Sequence, residues 1–195
     1  MVQKIGFLSA QINKAPIVSI KLSGRGDIAE YLPSLATFAT VGAMAEMSGE
    51  TINYVNADFV AKERGIKVET EALPASSVYK NLVTVKLTTD KDVIEISATM
   101  FGDDAQRIVD INGFGVDVEP TGNMILFKNT DVPGVIGQVG TLLGAHNVNI
   151  ADFRLGRNRS GEALAVIIVD SAVSDKTLKE LSALNACISV SYARI

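Results

Sequence analysis

The sequence predicts an α+β protein with two domains, over residues 1–119 and 122–195. Helical periodicity dominates the first 65 residues, and apolar and polar residues then alternate with a period of two up to residue 118. The last 74 residues instead follow the order β-α-β-β-α-β, which folds as a four-stranded antiparallel sheet with both helices on one face. At 195 residues, the chain is long enough for two small domains.

Three helices of the first domain are predicted from apolar residues at three-to-four spacing: 2–12, 33–47 and 53–64. Pro33 marks the start of the second helix, because proline is tolerated in the first helical turn. Ser48-Gly49 and Gly65 are expected to end the second and third helices. Asp27 is expected to cap a short helix ahead of them.

The strands of the first domain are predicted from apolar and polar alternation: 17–22, 66–70, 82–87, 93–97, 106–111 and 114–118. Asn112-Gly113 is a strong hairpin signal, because both residues tolerate positive φ. The pattern therefore predicts helices followed by an antiparallel sheet.

The second domain is expected to follow a short linker at Pro120-Thr121-Gly122. Its predicted strands are 124–128, 148–157, 164–170 and 188–194. One helix is predicted from Asp131-Val132-Pro133-Gly134 to about Ala145, and another from a Ser174 cap to about Leu184.

Composition excludes several classes of protein. The net charge of −4 argues against a protein that grips nucleic-acid phosphates. A single cysteine allows no intramolecular disulfide, and a single histidine gives little support for a His-rich metal site. Apolar runs are too short for a membrane helix and the first residues are too polar for a signal peptide, so we expect a cytoplasmic protein. Because none of the common catalytic motifs is present, we expect no catalytic residue and no bound metal in this chain.

Two weaker patterns have ordinary explanations. The run from Gly24 to Ala29 matches the glycine pattern of a dinucleotide-binding loop. Pro33 interrupts the following helix, however, and we expect no parallel βαβ unit, so a plain turn is favoured. The strand order of the second domain also occurs in RNA-recognition domains, which need aromatic residues for base stacking. The third strand, Leu164 to Val169, has none, and its aliphatic face is suited to burial against another domain or a second copy.

The most informative segment, Asn129 to Ile136, joins a strand to a helix. Pro133 fits the first helical turn, where free N–H groups attract a carboxylate. Gly134 lets a ligand approach the backbone, and Asp131 offers a negative charge suited to an ammonium group. A small zwitterion would match both charges. The alternative is that Asp131 only caps the helix, and the residues alone favour neither interpretation.

Four glycines lie in the predicted helix that follows: Gly134, Gly137, Gly140 and Gly144. Each interior glycine costs about 0.5–1 kcal/mol relative to alanine. We therefore expect this glycine ridge to let another element pack very closely.

Several polar residues near this helix have two interpretations. Arg154, Arg157 and Arg159 form a basic cluster that is either a solvated hairpin tip or a contact for an anion or an interface. Asn149 can offer a donor and an acceptor at a strand start. His146 is expected to complement the helix dipole, and Cys187 to be a small buried residue.

The stretch from Thr130 to Val135, followed by Asn147-Val148-Asn149-Ile150, resembles an ACT domain, a small regulatory domain of ferredoxin-like fold that binds amino acids. Asp152 to Arg157 is similar to the second strand of the ACT domain of D-3-phosphoglycerate dehydrogenases. In the first domain, the segments that resemble the allosteric substrate-binding (intervening) domain of that family are 53–57, 61–65 and 111–113. The resemblance extends over essentially the whole chain.

The resemblance implies the regulatory region of an NAD-dependent oxidoreductase of serine biosynthesis, whose NAD- and substrate-binding domains would precede this sequence. It implies no cofactor in this chain. It further implies that L-serine binds between paired ACT domains of a homodimer or homotetramer and acts by feedback inhibition. The implied ligand residues are Asn129, Asp131, Val132, Pro133, Gly134 and Val135, with Asn149 and Ile150 facing them from a partner subunit. Arg107 is a candidate anion site of the first domain, although Glu119 stands where a second basic residue is expected.

Two other interpretations stay open. Bacterial L-serine dehydratase also pairs a similar domain with an ACT domain, but it needs an iron–sulfur cluster that Cys187 cannot hold alone. Alternatively, the chain is an oligomerisation module without a ligand, which the glycine ridge and the aliphatic third strand also fit.

Overall fold

The computed structural model describes residues 1–47, 51–75, 78–102 and 104–195. Within these residues the helices are α1 (Val2–Ile12), α2 (Leu32–Met44), α3 (Ala57–Glu63), α4 (Val135–Ala145) and α5 (Asp175–Ser182). The strands are β1 (Ile17–Arg25), β2 (Lys67–Leu73), β3 (Leu82–Thr89), β4 (Val93–Phe101), β5 (Ala105–Ile111), β6 (Phe114–Val118), β7 (Asn123–Thr130), β8 (Ile150–Arg157), β9 (Glu162–Val169) and β10 (Cys187–Arg194). A short 3-10 helix covers Asp27–Tyr31. The α+β class predicted from the sequence is confirmed.

The chain divides into two units, Met1–Asn112 and Gly113–Ile195. This division falls earlier than residue 119, because β6 packs within the second unit. A Cβ added to Gly156 of β8 would lie 2.6 Å from the carbonyl oxygen of Gly115. Asn112 and Gly113 have φ of 51° and 81°, as the predicted turn requires. The linker at 120–122 stays a prediction.

The sheet of the first unit is mixed. Its strands are ordered β2-β1-β3-β4-β5. β1 pairs antiparallel with β3 but parallel with β2, with Ile20 opposite Val68. The expectations of an antiparallel sheet and of no parallel βαβ unit are therefore wrong at this edge, because α2 and α3 form a crossover that returns the chain in the same direction. The glycine loop before α2 is nevertheless filled by its own chain, since the N–H of Ile28 donates to Asn81 Oδ1 at 3.0 Å.

The helices of the first unit follow the predicted spacing, with three differences at their starts. Helix α1 has the predicted bounds, and α2 begins one residue before Pro33. Helix α2 ends at Met44, three residues before the predicted end at Met47, and the predicted stop at Ser48-Gly49 lies outside the described residues. Asp27 does not cap the 3-10 helix, whose N-cap is Gly26. Helix α3 begins at Ala57 rather than Asn53, because Asn53 Oδ1 accepts the N–H groups of the two residues before the helix and holds them in a turn.

After β6, the second unit has the predicted β-α-β-β-α-β order. The four strands of this order lie side by side as β10-β7-β9-β8, and all neighbours are antiparallel. The side chains of Ile125, Phe127 and Ile167 pack with Val139 and Leu143 of α4. Ser174 caps α5 as predicted, since its Oγ accepts the N–H of Thr177 at 3.1 Å. No helix within the described ranges is long and apolar enough to cross a membrane.

Both faces of strand β9 are buried within this chain. Ala165 and Ile167 lie on the face that α4 covers, and Leu164 and Val166 on the opposite face are also buried. Strand β6 lies against β8 and β9. The aliphatic strand is therefore buried by its own chain, so it does not need a second copy to cover it.

Candidate functional site

A cavity of about 250 Å³ opens between the segment 129–134, the first turns of α4 and the sheet of the second unit. Its lining includes all six ligand residues that were predicted from one subunit: Asn129, Asp131, Val132, Pro133, Gly134 and Val135. The other two predicted ligand residues, Asn149 and Ile150, do not line it. The structure thus gathers the loop residues around one cavity, and their role in binding stays a prediction.

Two rows of side chains that cross the sheet form the floor and the rim of the cavity. The floor row is Phe127, Ala165 and Leu155, which are aligned across β7, β9 and β8. The next row is Asn129, Ala163 and Arg157. Because neighbouring strands lie about 4.8 Å apart, Asn129 and Arg157 flank the small, buried Ala163 across a gap of about 10 Å. The cavity is therefore apolar at its floor and polar at its rim.

Backbone hydrogen bonds hold the loop of the cavity against its neighbours. The N–H of Thr130 donates to Ala186 O at 2.9 Å, and the N–H of Asp131 donates to Gly161 O at 2.9 Å. The first bond of α4 to its cap is donated by the N–H of Gln138 to Gly134 O. The helix N–H groups before Gln138 have no carbonyl partner within the helix, and such groups favour an anion.

The start of α4 differs from the prediction. Gly134 is the N-cap, with φ of 89°, and no side chain caps the helix. Pro133 therefore lies before the helix rather than in its first turn, and the interpretation of Asp131 as the helix cap is wrong. The physical reason is the left-handed conformation at Gly134, which turns the chain after Pro133 and which a residue with a Cβ adopts only at a cost.

Asp131 forms an ion pair at the mouth of the cavity instead. Its Oδ2 lies 3.2 Å from Nε of Arg157. The Asp131 side chain is 30% exposed and that of Arg157 is 66% exposed. The mouth thus presents one negative and one positive group side by side, which are the two charges that a zwitterion would meet.

The predicted basic cluster is divided by the pleat of β8. Phe153, Leu155 and Arg157 alternate along the strand and all line the cavity. Arg154 falls on the opposite face, where its Nε lies 2.9 Å from Oδ2 of Asp152. Arg159 lies beyond the strand, in the exposed turn. The three arginines therefore do not act as one group, and Arg157 is the member that reaches the cavity.

A carboxylate fastens the turn that supports the loop. Glu162 Oε2 lies 3.0 Å from Lys128 Nζ and accepts a hydrogen bond from Asn158 Nδ2 at 3.0 Å. The hydrogen bonds from Lys128 and Asn158 hold the pKa of Glu162 below its ordinary value. Because Gly161 of the same turn accepts the N–H of Asp131, this network helps to position the mouth of the cavity.

Asn149 lies at the opposite end of β8 from Arg157. It is exposed, and its Nδ2 donates to Asp170 Oδ2 at 2.6 Å. Ile150 begins β8 and packs partly buried against the core. Since α4 and β8 separate these residues from the loop, one chain does not bring the two groups together, and their predicted meeting would require a second copy.

Other predicted residues have roles that the local structure explains in part. His146 Nε2 lies 2.8 Å from Glu180 Oε2, and this hydrogen bond lowers the pKa of Glu180. Cys187 is half-buried, and burial raises the pKa of its thiol. Arg107 lies on β5, and its Nη1 donates to Gln106 O at 2.9 Å. An anion site at Arg107 stays a prediction.

Sequence reasoning missed the residues that form the floor and wall of the cavity: Phe127, Ile136, Val139, Phe153, Leu155 and Ala165. The period-two alternation of β8 was a usable signal, because it places residues 153, 155 and 157 on one face. No signal within the sequence aligned Phe127 and Ala165, since that requires the register of β7 on β9. Among the described residues, no group of three or more His, Cys, Asp or Glu side chains could hold a metal ion.

Comparison with known proteins identifies both units. The model of the D-3-phosphoglycerate dehydrogenase intervening domain matches residues 1–112, and the ACT domain model matches residues 123–186. Since the first model alone spans more than half of the sequence, the chain belongs to the D-3-phosphoglycerate dehydrogenase intervening-domain family, here joined to an ACT domain.

Relatives from distant organisms match over nearly the whole chain. D-3-phosphoglycerate dehydrogenase of Bacillus subtilis is 38% identical over 189 residues, which are 96% of this chain and 36% of the relative. The Archaeoglobus fulgidus protein of the same name is 30% identical over all of this chain and 38% of its own length. The ACT domain from GTP pyrophosphokinase of Chlorobium tepidum superposes with a TM-score of 0.32 at 14% identity, over 37% of this chain and 97% of that one. The chain thus spans little more than a third of the length of these dehydrogenases.

Proposed function

We propose that this chain is the regulatory region of a D-3-phosphoglycerate dehydrogenase and that its ACT domain binds L-serine for feedback inhibition. The Bacillus subtilis relative matches across both domains of this chain, which supports a regulatory region of a serine-pathway enzyme. On this proposal the NAD-dependent reaction belongs to the part of the enzyme that this chain does not span, and the enzyme acts in the cytoplasm.

The observation that carries the proposal is the cavity beside Asp131. Its mouth joins a carboxylate to the N-terminus of α4, so an ammonium group and a carboxylate of one ligand each find an opposite charge. Asn129 is 4% exposed, and its Nδ2 donates to Thr130 O at 2.7 Å. An amide carries two N–H donors and one acceptor oxygen, so Asn129 is suited to the hydroxyl of serine.

The proposed site is completed by pairing of two copies in a homodimer or homotetramer. The outer face of α4 carries Gly137, Gly140 and Gly144, and a Cβ at any of them would meet nothing within 4 Å. Val132 and Ile136 beside this face are 47% and 51% exposed. A second copy on this side would bring its Asn149 and Ile150 to the loop.

Regulation then follows from linkage. Serine binds the paired state more tightly than the unpaired state, so it shifts the population towards the paired state. The catalytic part of the enzyme turns over slowly in the paired state. The same open face also favours a second candidate function, an oligomerisation module that binds no ligand. In that case the pair of Asp131 and Arg157 is purely structural.

Titration of the chain with L-serine, D-serine and glycine in a thermal-shift assay distinguishes the two functions. A ligand at 100 times its Kd stabilises by about 2.7 kcal/mol, which raises the Tm of a protein of this size by several degrees. We expect a saturable shift with L-serine. A folded sample that responds to none of the three ligands would leave the oligomerisation module as the better description.

Variants at the loop make the test specific. Asp131→Ala and Asn149→Ala should abolish the L-serine shift while the protein stays folded. Asp152→Ala is the matched control, because Asp152 also pairs with an arginine but on the opposite face of β8. A normal response in Asp131→Ala or Asn149→Ala would remove that residue from the site.

A further inference from the structure

The ion pair between Asp131 and Arg157 lies where the ligand of the proposed function would enter. Both residues line the cavity, and their charged atoms are 3.2 Å apart. Arg157 is two-thirds exposed, and exposed ion pairs contribute about 0–1 kcal/mol. The pair therefore opens at little cost, so it does not block entry.

The register of the sheet places Arg157 beside the cavity rather than on the opposite face of the sheet. Arg157 aligns with Ala163 and Asn129 in one row that crosses β8, β9 and β7. Ala163 is fully buried and small, so the two polar side chains stand on either side of it with the apolar floor below. A guanidinium at this position presents several N–H donors with the planar geometry that matches a carboxylate.

We propose that Arg157 is a ligand-binding residue that recognises the carboxylate of a free α-amino acid, and that binding exchanges one ion pair for two. In the empty site Asp131 and Arg157 neutralise each other. In the bound site Asp131 takes the ammonium group, and Arg157 joins the N-terminus of α4 in holding the carboxylate. The site thereby selects molecules that carry both charges on one carbon. This inference rests on the proposed function and adds a residue and a selection rule to it.

The exchange explains why each charge alone is a poor match. An amine that engages Asp131 leaves Arg157 without its partner, and a carboxylic acid that engages Arg157 leaves Asp131 unpaired. Only a zwitterion restores both pairs. The selection therefore comes mainly from the number of ion pairs formed, since a zwitterion forms two in the cavity and a singly charged molecule forms one.

Isothermal titration of the full chain with L-serine and L-serinamide, and with glycine and glycinamide, tests the role of Arg157. The amides keep the ammonium group and lose the carboxylate. We expect the wild-type chain to prefer the acid in each pair. In Arg157→Gln we expect about 10- to 100-fold weaker binding of the acid, and a preference for acid over amide that is reduced to what the N-terminus of α4 alone supplies. Arg157→Lys should retain part of the preference, because it keeps the charge but not the planar fork.

Arg154→Gln is the matched control. Arg154 lies on the same strand and also contacts an aspartate through its Nε, at 2.9 Å, but on the face away from the cavity. We expect wild-type binding and preference in this variant. The Tm of every variant is measured to check that it is folded.

The outcomes separate this inference from the proposed function. If the wild-type chain binds amino acids but Arg157→Gln keeps wild-type affinity, or keeps the full wild-type preference for acid over amide, then the role of Arg157 is wrong and the sensor stands. If the wild-type chain binds none of the four compounds, the sensor itself fails and the inference fails with it.

Discussion

Two glycine-containing helix faces of this molecule meet opposite surroundings. In the first unit, a Cβ at Gly6 of α1 or Gly42 of α2 would collide with the backbone of the other helix, at Ala39 O and Gln3 O respectively. In the second unit, the glycines on the outer face of α4 meet nothing within 4 Å. Glycine thus allows two helices to pack closely in one unit, whereas in the other unit it lies on a helix face that is not covered. The expected close packing at the glycine ridge is not made by any of the residues that the structure describes.

A glycine within a helix does not by itself indicate a close contact. An interior glycine costs helix stability wherever it occurs, so the sequence alone cannot tell which glycines are already compensated. At Gly6 and Gly42 the compensation is visible as two backbones in contact. At α4 it is absent from the described residues, which is the reason to expect a second copy or a ligand there.

The largest expected effect is at the contact between α1 and α2. Gly42→Ala forces the backbones of α1 and α2 apart, and overpacking of this kind costs about 1–3 kcal/mol. We expect the upper end of this range, because the obstructing atom belongs to the backbone rather than to a flexible side chain. Urea unfolding followed by circular dichroism measures it. A loss below about 0.5 kcal/mol would mean that the two helices shift apart freely.

A smaller effect of opposite sign is expected at the outer face of α4. Gly140→Ala should stabilise dilute, unpaired chain by about 0.5–1 kcal/mol, because alanine has the better helix propensity and its Cβ meets open space. Thermal unfolding should show a Tm rise of about 2 °C. Sedimentation at higher concentration should show weaker self-association if α4 is the pairing face. Destabilisation of the dilute chain would contradict the open space beside Gly140.

The smallest effect concerns the turn that supports the loop, and it depends on pH. The pKa of Glu162 is lowered in the folded state, mainly by hydrogen bonds from Lys128 and Asn158, so its carboxylate stabilises the fold at neutral pH. This contribution is present above the ordinary pKa of 4.5 and is lost as the pH falls through the lowered, folded-state value. Glu162→Gln should therefore be less stable than wild type at pH 7. The difference in the free energy of unfolding should disappear when the pH falls below the folded-state pKa of Glu162. If the stability difference between the two proteins stayed constant with pH, the effect would be due to packing rather than to the charge of Glu162.

Much of the fold was predictable because it depends on local spacing. The bounds of α1, the Ser174 cap and the β-α-β-β-α-β order all follow from residues a few positions apart. The start of α3 was not predictable from apolar spacing, because the side chain of Asn53 competes for backbone N–H groups and delays the helix. The parallel position of β2 also escaped prediction, since it depends on the path of the crossover.

The candidate site divides in the same way. The loop residues 129–135 follow from the order of strand, proline, glycine and helix, so this segment could be located from local sequence. Only the folded chain shows that Asp131 meets Arg157 instead of capping α4, and that Phe127, Ala165 and Leu155 form one floor. These facts depend on strand register and on the left-handed Gly134. Each brings together residues far apart in sequence, and an ion pair or a packed row exists only where the folded chain places both partners.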